Sequence, residues 1–178
     1  MTPNPAQRLL FRLDRFLDRT GSILAVLPLL LMLVQFLVVV MVYVFRTGSI
    51  QLQESLTYIN ALMFLGGAGY TALRDGHVRV DLFYSRLGAR GRAWVDLLGT
   101  LLLLMPFLGL FWATALPFVI TSWAMNETSV ESSGLPFVYV LKATLLAFPL
   151  TMSVAAVADL LRAALTLKGH NPAIGKDS

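Results

Sequence analysis

Few side chains in this chain could do chemistry, and they fall in three places. The stretch Arg74-Asp75-Gly76-His77-Val78-Arg79-Val80-Asp81 sets an imidazole, a guanidinium and a carboxylate at alternate positions. A second stretch, Asn126-Glu127-Thr128-Ser129-Val130-Glu131-Ser132-Ser133-Gly134-Leu135-Pro136, carries two carboxylates four residues apart. Lys142 stands alone inside an apolar run. A histidine can move protons near neutrality or bind a metal, but a metal site needs several Cys, His or carboxylate ligands together. The chain has two histidines, His77 and His170, and no cysteine. Thiolate chemistry and iron–sulfur clusters are therefore excluded, and with neither histidine inside an apolar run, so is a haem held between two spans. Glu127 and Glu131 resemble an acid–base pair but have no nucleophile or partner base beside them. No residue is assigned as catalytic, cofactor-binding or metal-binding, and no cofactor is expected. The polar residues read instead as structural pairs or subunit contacts, and the chain as no enzyme.

The elements that must position these residues are membrane spans. Of 178 residues, 57% are apolar and 13% charged; an ordinary soluble domain is about 45–50% apolar and about 25% charged. Runs near 22–45, 55–73, 97–123 and 137–161 are each long enough to cross about 30 Å of hydrocarbon. The remaining segments are too short for a separate globular domain. The expected fold is one all-α integral membrane domain, residues 1–178, with four transmembrane helices. The first run is too long for a cleaved signal sequence and reads as a permanent anchor. Gln35 is its one strongly polar side chain mid-span, which predicts a helix–helix hydrogen bond. Gly66-Gly67-Ala68-Gly69 in the second run suits close backbone approach, and Pro106 and Pro117 predict kinks in the third.

Charge supplies the orientation. The formal net charge is +4, but the basic residues punctuate the apolar runs and form no nucleic-acid patch. Arg8, Arg12, Arg15 and Arg19 precede span one; Arg74, Arg79, Arg86, Arg90 and Arg92 lie between spans two and three; Arg162, Lys168 and Lys176 follow span four. Only Arg46 and Lys142 fall on the other side. Lys and Arg collect in cytoplasmic segments, which puts both termini and the middle loop in the cytoplasm. Within residues 7–19 the arginines recur at helical spacing opposite Leu10, Leu13 and Leu17, predicting an amphipathic helix at the cytoplasmic interface, drawn to anionic lipid. On the outer side, Ser132 or Ser133 is expected to cap the last span, with Pro136 in its first turn. If span three continues, Glu127 and Glu131 share a face. Lys142, about 30 Å of helix from Arg162, is expected at the outer boundary, snorkelling or pairing with Glu127 or Glu131.

These residues together resemble a known family. Glu54 opens span two, followed by Tyr58 and Gly66-Gly67-Ala68-Gly69-Tyr70, then Gly76-His77-Val78-Arg79-Val80-Asp81, then Glu127-x-Ser129 and Pro136. The pattern, from about Arg19 to Arg162, is similar to the small membrane subunit (DctQ-like) of tripartite ATP-independent periplasmic, or TRAP, transporters. The resemblance implies a bacterial inner-membrane protein that supports a large membrane subunit. A periplasmic substrate-binding protein delivers an organic acid to the pair, and a sodium gradient drives uptake. Glu54, His77, Arg79, Asp81, Glu127, Ser129, Glu131, Pro136 and Lys142 become its structural or subunit-interface candidates. A membrane enzyme, or an assembly or anchoring subunit of another membrane complex, is the alternative.

Overall fold

A computed structural model of the chain describes residues 5–74 and 87–169. Regular structure among them is helical throughout: α1 (Pro5–Leu24), α2 (Leu27–Tyr43), α3 (Ile50–Leu73), α4 (Ala89–Gly99), a π-helical turn (Thr100–Leu104), α5 (Met105–Ala124), α6 (Val138–Thr144) and α7 (Ala147–Leu167). Three joined stretches are long and apolar enough to cross a bilayer: Pro5–Tyr43, Ala89–Ala124 and Val138–Leu167. Helix α3 has the length, about 36 Å, but its first turns carry Gln51, Gln53, Glu54, Thr57 and Asn60, which lower its hydropathy. The expectation of four spans is thus met in composition by three of them.

Prolines set the breaks. Between α1 and α2 the chain turns at Ala25 and Val26, just before Pro28, whose ring nitrogen cannot donate to the carbonyl of Leu24. Helices α1 and α2 are therefore almost continuous. The last span divides likewise, with a turn at Leu145 and Leu146 ahead of Pro149. In span three the π-helical turn directly precedes Pro106, whereas Pro117 lies within α5. Placed there, the π turn fits a proline that leaves the preceding carbonyls without their usual donors.

Helix α7 is the hub, touching α1, α3, α4, the π turn, α5 and α6. Its buried residues are mostly small: Thr151, Ala155, Ala156, Ala158 and Ala163. Small side chains allow close approach where lipid offers no hydrophobic drive between helices. Gly69 of α3 sits against this face, and a β-carbon there would lie 2.6 Å from the carbonyl oxygen of Thr151. Across α7, Met152 and Ala156 pack on Leu108, and Phe148 joins Phe107 and Phe111 in an aromatic cluster. Trp112 Nε1 donates to Ser153 Oγ at 3.3 Å, satisfying a polar edge between α5 and α7.

The apolar stripe of α1 differs from its expected use. Leu10 and Leu17 are buried against protein, Leu10 in a cluster with Ala158 and Leu165 that Leu13 adjoins. The stripe thus faces the helical bundle. Phe11 and Phe16 remain exposed beside the arginines. Helix α2 is the opposite case: none of its residues is buried.

Candidate functional site

The polar residues gather at the two ends of the bundle, about 30 Å apart along α3 from Glu54 to Arg74. At one end, Glu54 is fixed by the start of α3, which Ser49 caps by accepting from the Leu52 N–H at 3.4 Å. The helix begins before Glu54, so this carboxylate lies in its second turn. It accepts from the Ser129 hydroxyl, and its second oxygen accepts from the Leu135 N–H at 2.6 Å. The same loop is closed by Ser129 N–H to the Leu135 carbonyl at 3.3 Å and by Glu131 N–H to Ser129 Oγ at 3.2 Å. Gly134 lies against both partners: a β-carbon there would collide with Ser129 Oγ and lie 2.7 Å from Glu54 Oε1. The two hydrogen bonds hold Glu54 below the ordinary carboxylate range.

Beside this clasp, α5 ends at Ala124, and Asn126 takes a positive φ of 47°. The turn carries Glu127 back toward the bundle, so Glu127 and Glu131 do not share a helix face. Glu127 Oε2 accepts from Lys142 Nζ at 2.5 Å and from Ser122 Oγ at 2.7 Å. Both bonds depress its titration, the lysine contact most. Lys142 also stands 4.3 Å from the centre of the Phe118 ring, a favourable cation–π distance. Pro117, Phe118, Thr121, Ser122, Met125, Glu127 and Lys142 line an open cleft of about 420 Å³. Pro136 lies two residues before α6, not in its first turn as expected, and neither Ser132 nor Ser133 caps that helix, whose N-cap position is Phe137. The cap fails because the loop carrying these serines is drawn to Glu54 instead.

At the other end, Arg162 bridges Asp14 of α1 and Asp159 of its own helix, the latter at 2.8 Å. Arg74, the residue after α3, meets Asp18 at 2.6 Å. Sequence reasoning missed both long-range pairs. The available signal was the placement of Asp14 and Asp18, one turn apart beside the Leu10–Leu17 stripe. His77, Arg79 and Asp81 lie outside the described residues.

Among the described residues no group of three or more His, Cys, Asp or Glu is placed to hold a metal ion. Glu54 and Glu127 are engaged by hydroxyl, backbone amide or ammonium donors, an arrangement that fastens loops to helices. Taken with the fold, this defines a helical membrane protein whose polar residues join its helices at both ends. The sequence profile of the family described as tripartite ATP-independent periplasmic transporters, DctQ component, matches residues 13–166. The chain belongs to this family, as a TRAP transporter small membrane subunit. It is a family of transporter subunits, not of enzymes. No curated protein and no solved structure matches the chain.

Proposed function

We propose that the protein is the supporting subunit of a sodium-driven uptake system for an organic acid. It would sit in the bacterial inner membrane beside a large membrane subunit that performs the transport step, with the acid brought by a periplasmic substrate-binding protein. The profile match across 13–166 carries this reading. Two physical features support it. A transporter acting alone needs polar, broken helices around a midplane site, whereas here the charged residues stand at the bundle's ends. The hydrogen-bonded clasp and the α1–α7 pair also fasten the helices to one another, as a scaffold requires.

In this reading α3 is the fourth crossing, residues 1–178 form one membrane domain, and the termini and middle loop face the cytoplasm. His77, Arg79 and Asp81 are then cytoplasmic contact residues, and Glu54, Ser129, Glu131 and Pro136 belong to the periplasmic surface. Co-purification tests the partnership: the chain, extracted gently from native membranes, is expected to bring a large many-span permease. Recovery with an unrelated membrane complex would favour the alternative of an anchoring subunit, and a substrate turned over by the chain alone would favour a membrane enzyme.

A further inference from the structure

Gln35 is the ninth of the seventeen residues of α2, about 12 Å along the axis from either end. The sequence predicts a helix–helix hydrogen bond for it, yet its amide is exposed and has no hydrogen-bond partner among the described residues. An amide offers two N–H donors and a carbonyl acceptor, and leaving these in hydrocarbon is costly. Glutamine is too short to carry its amide 12 Å to an interface, so lipid headgroups and water do not reach it; snorkelling belongs to the long basic side chains. The surface around it is otherwise apolar and open: Met32, Val39 and Val42, at helical spacing from Gln35, are all exposed.

We propose that the Gln35 face of α2 is where a helix of the large membrane subunit docks, supplying a hydroxyl, amide or freed backbone carbonyl to the glutamine amide. This rests on the two-subunit reading above. It adds the helix, the face and the polar contact. The occupant follows from the demand itself: one unsatisfied amide at mid-span, on a helix with no buried residue, in a chain that is a component of a multi-subunit transporter. Polar contacts of this kind stabilise helix pairs modestly, so replacing Gln35 weakens the complex without dissolving it.

The chain has no cysteine, which leaves a clean background for cross-linking. A single cysteine carrying a thiol-linked photoreactive group is placed at position 35 and, as controls, at 33 and 37, which point to the opposite side of the helix. The full chain is then expressed with its large subunit. Position 35 is expected to cross-link to the large subunit, and positions 33 and 37 are not. Gln35→Leu is expected to lower recovery of the large subunit about three- to tenfold in detergent, with Gln35→Asn recovering part of it. If the large subunit co-purifies with the unmodified chain but position 35 yields no adduct with it, or Gln35→Leu retains it undiminished, the docking inference is overturned and the two-subunit reading stands. Adducts between two copies of this chain overturn it in favour of self-association. Failure of the unmodified chain to bring any large subunit overturns the reading beneath it.

Discussion

At the residue scale the loop clasp turns on Glu54, whose two oxygens take one hydroxyl and one backbone N–H from a loop some eighty residues away. A carboxylate that titrates lower in the folded state than in the unfolded one binds protons more weakly when folded, so its ionised form stabilises the fold. That stabilisation is full above the unfolded glutamate range and is lost as pH falls through the depressed folded value. Glu127, depressed by Lys142 and Ser122, acts in the same direction. Thermal melts of the purified protein should therefore be flat from neutral pH down to the ordinary glutamate range and fall below it. A Glu54→Gln, Glu127→Gln double variant should show a shallower acid loss. At the opposite end, Arg162 and Asp14 expose only 19% and 15% of their side chains, against 48% and 45% for Arg74 and Asp18. Removing one member of a mostly buried pair leaves the other charge uncompensated. Arg162→Ala is expected to cost about 3 kcal/mol in reversible unfolding, while Arg74→Ala, a break in an exposed pair, should barely move it. The sequence made Lys142 and Glu127 visible because each interrupts an apolar context. It hid the Glu54–Ser129 bond, because the loop path that joins them depends on the turn at Asn126.

At the element scale, small residues and prolines decide the packing. Gly69 lies so close to the Thr151 backbone that added methyl groups must push α3 from α7. Gly69→Val is expected to destabilise the protein by about 2 kcal/mol, the usual cost of overpacking a close contact, whereas Gly67→Val, with open space around it, should be nearly neutral. Paired melting curves compare the two. The apolar runs and the amphipathic α1 were legible in the sequence from their periods. The partner of the α1 stripe was not: Leu10, Leu13 and Leu17 suit a bilayer and a helix bundle equally, and only the alanine-rich face of α7 selects the bundle. The irregularity expected at Pro106 falls in the π turn just before it, whereas Pro117 stays within α5, and the turns ahead of Pro28 and Pro149 were not read from the sequence.

At the scale of the whole molecule, the two charged ends and the apolar girdle between them are those of a membrane protein whose helices are tied to one another at both ends. The absence of cysteine makes the proposed orientation simple to check. Val130 is fully exposed in the loop after α5, which the proposed orientation puts outside, so Val130→Cys in intact spheroplasts should react with a membrane-impermeant maleimide. Lys168→Cys, after α7, should react only once the membrane is opened. Labelling in the reverse order would invert the topology read from the arginines. The family was legible from the ordered set running from Glu54 through Gly76-His77-Val78-Arg79-Val80-Asp81 to Pro136, but no residue of this chain identifies a substrate, and a subunit with the proposed supporting role need not touch one. The most direct test of its role is uptake into proteoliposomes with the large subunit, the binding protein and an inward sodium gradient. Uptake of the organic acid is expected only when this chain is present with both partners and sodium, with none from this chain alone. Undiminished uptake without this chain, or saturable uptake by this chain alone, would contradict the account.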